Sequence, residues 1–234
     1  MIFKSRLPRP DGKAVVVPSI LSADLARLGE QVREAEKAGA GWLQVDVMDG
    51  SFVQNLSFGP AVVASLRNVT GLALDVHLMV EQPEKFFMPF AQAGADLLTV
   101  HLEACRSPRA ALKKIRDMGL SAGLAVRPET ALKKAEGLLK EIDLLLVMTV
   151  DPGFGGKKFL PGSQSRIACA RSLLDAIGSC AWLQVDGGIN ARTAAVAARA
   201  GADSLVAGSA LFSDADTAAS MKNILKAVAS VSNG

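Results

Sequence analysis

A three-residue phrase, Ala-Gly-Ala, stands in front of three apolar runs: AGAGWLQVDVMDG from Ala38, AGADLLTVHLEA from Ala93 and AGADSLVAGSALF from Ala200. In each, a helix ends on a glycine suited to a left-handed cap, and the chain passes directly into a strand of leucine and β-branched residues. Helix, glycine and strand in repetition mean stacked βα units, which restricts the chain to folds built on a parallel sheet. Strands of such a sheet are buried on both faces and read as unbroken apolar runs rather than alternating ones. Runs of this kind occupy 14–20, 42–48, 73–79, 96–102, 121–126, 143–150, 181–186 and 203–208.

The intervening stretches carry helical periodicity. In SADLARLGEQVREAEKAG, Leu25, Leu28, Val32 and Ala35 fall on one face with charges opposite, and Ser22 stands where the N-cap belongs. About eight strands alternating with about eight helices is the arithmetic of a single-domain α/β fold, the (β/α)8 TIM barrel. The barrel is expected over 14–234, with 1–13 as a short N-terminal arm. A doubly wound open sheet would fit fewer strands into this length.

Lys and Arg number 26 against 23 Asp and Glu, scattered along the chain, so no basic stripe suits a nucleic acid. The slight excess of positive charge suits a small anionic substrate. Cys105, Cys169 and Cys180 are far apart, odd in number and lack CxxC spacing, so neither a disulfide framework nor a zinc knuckle is suggested. A reducing cytoplasm is the expected compartment. No apolar run is long enough to span a membrane, and MIFKSRLPRPDGK lacks the apolar core of a secretion signal.

Barrel active sites are built at the C-terminal ends of the strands, and there the apolar runs turn polar. These ends carry Ser19, Gln44 and Asp46, then Asp75 and His77, then His101 and Glu103, then Asp186; the chain has only two histidines, and both are among them. Each alone could be a satisfied core polar group. Together, Asp46, His77 and Asp186 come from separate strands facing one mouth and make a reasonable first shell for a divalent metal. No Lys or Arg lies in those strand ends to neutralise the carboxylates, and a cation would supply the missing charge. Asp75 shares a barrel face with His77 one layer deeper, where it either orients a ligand or is simply a buried, hydrogen-bonded Asp. His101 and Glu103 are expected to form a supporting polar layer.

Glycines form a second set. DPGFGGKKF, VDGGIN and VAGSALF follow the sixth, seventh and eighth strands, so Gly153, Gly155, Gly156, Gly187, Gly188, Gly208 and Ser209 converge on one quadrant. Loops in this position form phosphate sites through backbone N–H groups, and glycine lets the anion approach. Met48, Met79 and Met148 each end a strand. They either fill core space or line the mouth.

These segments resemble, in order and over nearly the whole chain, the ribulose-phosphate 3-epimerases: VPSILSAD, VDVMDGSFVQN, LDVHLMV, AGADLLTVHLEA, VMTVDPGFGGKKF, VDGGIN and VAGSALF. The resemblance implies interconversion of D-ribulose 5-phosphate and D-xylulose 5-phosphate by inversion of the carbon next to the carbonyl. It implies one divalent ion (Zn, Fe, Mn, Co or Mg) on Gln44, Asp46, His77 and Asp186, with Asp46 and Asp186 as acid and base on opposite faces of the substrate. Ser19 and His77 would contact the sugar, and the three methionines would cover the reacting carbons. Gly153, Phe154, Gly155, Gly156, Gly187, Gly188, Gly208 and Ser209 would hold the phosphate. Members are commonly oligomeric, which implies a homo-oligomer. Barrels that isomerise phosphoribosyl anthranilate or decarboxylate orotidylate share the phosphate loops but not the Asp/His/Asp set.

Two features depart from the family. Gln44 stands where the pattern has histidine, and DGSFVQN replaces the usual DGHFVPN, which brings Ser51 and Gln54 into a loop over the mouth. An amide oxygen is neutral and less basic than imidazole, so preference should move from zinc toward Mg²⁺ or Mn²⁺. Three readings follow: an active epimerase with a modified metal site, an epimerase of a six-carbon ketose phosphate such as allulose 6-phosphate, or a phosphosugar-binding barrel impaired in catalysis.

Overall fold

The computed structural model describes residues 2–213 and 216–231. Eight parallel strands, β1 (Val15–Pro18), β2 (Leu43–Met48), β3 (Leu74–Met79), β4 (Leu97–His101), β5 (Ser121–Val126), β6 (Leu144–Met148), β7 (Trp182–Asp186) and β8 (Ser204–Ala207), pair in sequence order, with β1 beside β8. The remaining seam, between β1 and β2, is held by the Gly41 N–H donating to the Val16 carbonyl (3.0 Å) and a Ser19–Gln44 bridge. Gly41 is required there, because a Cβ would lie 2.9 Å from Val15 Cβ. The chain is a single (β/α)8 barrel, and each strand lies within the run expected for it.

The helices cover the outside of the sheet: α1 (Leu28–Lys37), α2 (Pro60–Arg67), α3 (Phe87–Ala93), α4 (Pro108–Asp117), α5 (Ser163–Ala176), α6 (Ala191–Arg199), the short α7 (Ser209–Phe212) and α8 (Thr217–Ala229). The three Ala-Gly-Ala phrases end α1, α3 and α6 with glycines at φ of +99°, +103° and +102°, the left-handed geometry that lets each helix reverse into its strand. Two local expectations fail. Ser22 caps nothing at α1; it closes a 3₁₀ turn (Ile20–Ser22), and Asp24 caps the next turn (Leu25–Arg27) by accepting from Ala26 N while its own N–H donates to Gln31 Oε1. Leu25 is therefore exposed rather than on the buried face, which consists of Gln31, Val32 and Ala35. Between β5 and β6 the chain forms a 3₁₀ helix (Leu132–Leu138) in place of an α-helix, with Gly137 inside it lowering helical preference.

The barrel interior is layered. At the N-terminal end Trp42 and Trp182 meet edge to face, ring centres 5.0 Å apart, and fill the bore together with Leu97 and Leu144. The arm lies across this end: Phe3 N–H donates to Met118 O, Arg6 N–H to Asp96 Oδ1, and Trp182 Nε1–H to Pro8 O at 2.8 Å. Above the tryptophans is a buried polar layer of Gln44, Asp75, Thr99, Gln184 and Ser204, and above that the mouth. Among the described residues no helix is long and apolar enough to cross a membrane.

Candidate active site

Inward-facing positions of adjacent parallel strands sit side by side, so register decides which polar residues meet. Asp46 of β2 is paired with His77 of β3, and Gln44 with Asp75 one layer down. His77 Nδ1 lies 2.9 Å from Asp46 Oδ1 and 3.9 Å from Asp186 Oδ2, and suitable atoms of Asp46, His77 and Asp186 all fall within 4.8 Å of one another. Asp46 also accepts from Ser19 Oγ at 2.5 Å.

Gln44 is the unexpected member. Its Nε2 donates to Asp46 Oδ1 and to Asp186 Oδ2, both at 2.8 Å, so a single amide nitrogen holds the two carboxylates together. Its Oε1 is buried without a hydrogen-bond partner.

This packing sets the proton affinities. Asp186 is pushed up to about 7, chiefly by burial and then by the charge of Asp46, against the opposing pull of His77 and Gln44. Burial disfavours charged His77, but the hydrogen bond and charge of Asp46, aided by Asp186 and Asp75, prevail and raise it. Asp75, fully buried, is also raised to about 7 by desolvation; its Oδ1 accepts from Thr99 Oγ1 at 2.7 Å rather than from a residue of the Asp/His/Asp set.

A cleft opens directly above. Asp46 and Asp186 reach it, Met48, Met79 and Met148 line it beside Ser19, and Gly153, Phe154, Gly155, Gly156, Gly187, Gly188, Gly208 and Ser209 form its opposite wall. Gln44 and His77 do not line it. Both are wholly buried, Gln44 one layer below Asp46 and His77 beside it. The glycine wall needs its glycines. Gly187 and Gly188 have φ of +118° and +67°, and a Cβ on Gly188 would lie 2.2 Å from Phe159 N. Thr149 and Thr193 pin these turns by donating their hydroxyls to the carbonyls of Gly187 (2.7 Å) and Gly188 (2.8 Å).

Sequence reasoning missed several neighbours. Lys157 lines the cleft beside the glycines, held by donation to Asp151 O at 2.8 Å, and adds a positive charge to that side. The loop after β2 crosses the mouth, fixed by Asn55 Nδ2 donating to Gly153 O and by Arg127, which donates to Phe52 O and lies 4.2 Å above its ring. Phe52 and Val53 face inward and pack near Met48 and Met79, whereas Ser51 and Gln54 are exposed. The signal for Phe52 and Val53 was present as two adjacent apolar residues in an otherwise largely polar stretch of the loop.

Two carboxylates, the buried Asp46 and the partly exposed Asp186, thus stand at the mouth of a (β/α)8 barrel opposite a wall built of glycines, the arrangement of an enzyme active site. The particular family follows from comparison: residues 15–212 match the Ribulose-phosphate 3 epimerase family, and the chain belongs to it. The chain is similar to the Ribulose-phosphate 3-epimerase of Bacillus subtilis (45% identity, 86% of this chain and 93% of that one). It is also similar to that of Synechocystis (44%, 94% and 93%). Among solved structures, 3-Hexulose-6-Phosphate Synthase superposes with a TM-score of 0.69 over 92% of this chain and 99% of that one, at 19% identity, a likeness of fold.

Proposed function

We propose that this chain epimerises D-ribulose 5-phosphate and D-xylulose 5-phosphate at the carbon next to the carbonyl, with Asp46 and Asp186 as the two proton-transfer groups. The observation that carries this is the pair of carboxylates, brought from β2 and β7 to the floor of one cleft and both 2.8 Å from the same Gln44 nitrogen. Inversion requires a proton to leave one face of the carbon and another to arrive on the opposite face, so one carboxylate must start as base and the other as acid. The two groups are built to differ. Asp46 is held by donors from Ser19, Gln44 and His77, while Asp186 has Gln44 and a more open position at the cleft.

The donor set suits a divalent cation. Two carboxylates and an imidazole offer three ligand atoms close together, and the unpartnered Oε1 of Gln44 is the oxygen a half-turn of its amide would bring toward them. Asp46, His77 and Asp186, with Gln44 through Oε1, would hold it. A bound cation supplies Lewis-acid charge next to the substrate oxygens that become negative when the proton leaves. An amide oxygen in place of a nitrogen ligand favours Mn²⁺ or Mg²⁺ over Zn²⁺.

The methionines give the reacting carbons an apolar, polarisable cover, and the glycine wall with Lys157 takes the phosphate, fixing the sugar so that its reacting carbon lies between the carboxylates. The altered loop residues Ser51 and Gln54 are exposed and outside the cleft, which favours the five-carbon over the six-carbon substrate. The test is the rate of xylulose 5-phosphate formation, followed by NMR, with metal content measured alongside. The reading expects turnover by the wild type and its loss in Asp186→Asn; full rate in that variant would refute it.

A further inference from the structure

We propose that His101 and Glu103 are positioning residues that fix the proton and ring orientation of His77, so that its Nδ1 faces the cation site. The proposal rests on reading Asp46, His77 and Asp186 as ligands. His77 Nε2 lies 2.9 Å from His101 Nε2, and His101 Nδ1 lies 3.3 Å from Glu103 Oε2. Two ring nitrogens at 2.9 Å cannot both carry protons, because the hydrogens would collide, so one donates and the other accepts.

Glu103 decides which. Its carboxylate only accepts, and its other oxygen already takes the Arg127 backbone N–H at 3.0 Å, so the proton between it and His101 belongs to His101 Nδ1. His101 Nε2 is then the bare nitrogen. The proton of the shared bond belongs to His77 Nε2, which leaves Nδ1, the donor to Asp46 Oδ1 in the metal-free chain, as the nitrogen a cation would take in place of that proton. An imidazole that binds metal through one nitrogen commonly donates its other N–H to a fixed acceptor, and that acceptor sets the tautomer and affinity.

The arrangement is enclosed. Both imidazoles are fully buried, and Phe52 covers His101 with ring centres 4.9 Å apart while Arg127 lies over Phe52. Water has no ready place from which to replace either ring as hydrogen-bond partner. The row crosses from β3 to β4 and ends at the residue after β5, so it ties the cation site to the loop closing the mouth.

The test uses two readouts on the full chain. With only two histidines, ¹⁵N-histidine labelling gives four ring-nitrogen signals. In the metal-free protein the expected result is a nitrogen–nitrogen coupling through the shared hydrogen bond, with His101 bare at Nε2. Mn²⁺ titration followed by EPR is the second readout. His101→Leu is expected to weaken Mn²⁺ binding roughly tenfold to a hundredfold, the usual range for losing such a support. His101→Gln, whose amide oxygen reaches the position of Nε2, should recover most of it. Should His101→Leu not fold, Glu103→Leu carries the same comparison with a smaller loss, and Glu103→Gln, which still accepts, stays near wild type. Equal Mn²⁺ affinity in the wild type and the leucine variants overturns the proposal, as does a proton on His101 Nε2. Failure of the underlying cation reading looks different: the wild type itself then binds no Mn²⁺ although the coupling is present, and the proposal falls with it.

Discussion

The two walls of the cleft are built from different materials. On the β2, β3 and β7 side, side chains do the holding: Asp46, Asp186, His77 and Gln44, each positioned by a partner 2.8–2.9 Å away. On the side of the loops after β6, β7 and β8, the backbone does it, with glycines at positive φ and Lys157 as the added charge. The difference decides how each wall fails. Removing one atom's chemistry disables the first and leaves its shape intact; adding one methyl group disables the second and leaves all its chemistry in place.

The largest expected effect is on the side-chain wall. Asp186→Asn keeps the shape and an oxygen to accept from Gln44, but removes the proton-transfer group proposed for β7. Turnover should fall by about a thousandfold, within the range such groups supply, while KM stays near wild type. Steady-state kinetics check this split. The matching break in the backbone wall is Gly188→Ala, whose Cβ would lie 2.2 Å from Phe159 N at a φ of +67°. It should lose on the order of 2 kcal/mol of stability in urea unfolding and raise KM more than it lowers kcat. Gly156→Ala, at φ +74° with open space around the added carbon, should lose only about 1 kcal/mol.

Much of this contrast was legible in the sequence. Unbroken apolar runs gave the eight strands because parallel strands are buried on both faces, and Ala-Gly-Ala marked three helix ends because only glycine enters the left-handed cap easily. The sequence also pointed to the glycine wall, since its loops follow consecutive strands. The partners were hidden. Whether His101 meets His77 depends on the register of β3 against β4, and the direction of the Gln44 amide depends on two carboxylates, one of which is 142 residues from it along the chain. The Ser22 cap failed for a local reason: two residues later Asp24 accepts from Ala26 N–H through its side chain while its own N–H donates to Gln31 Oε1.

Gln44 sharpens the comparison further, because its amide nitrogen donates to both acids. Gln44→His should tighten Zn²⁺ binding about tenfold relative to Mn²⁺, measured by competitive titration, because imidazole is the softer and more basic ligand. Gln44→Leu should lose about 1–3 kcal/mol in the metal-free protein by leaving buried carboxylates without their shared donor.

The smallest effect is on pH dependence, and it belongs to the side-chain wall alone. Burial would raise Glu103, but hydrogen bonds from His101, Thr130 and the Arg127 backbone outweigh it and hold the carboxyl down to about 2, against an ordinary 4.5. The folded value is the lower one, so the stability Glu103 contributes is present above pH 4.5 and lost as pH falls toward 2. Urea midpoints measured across that window should drop more steeply for the wild type than for Glu103→Gln.

The central claim is that two carboxylates work on opposite faces of one carbon. Its most direct test is epimerisation in D₂O with NMR of the reacting carbon in both epimers. The account predicts that wild-type product carries solvent deuterium there, and that Asp186→Asn still exchanges one epimer without inverting it, through Asp46. Inverted product that retains the substrate's own hydrogen, or exchange of both epimers by Asp186→Asn, would contradict it.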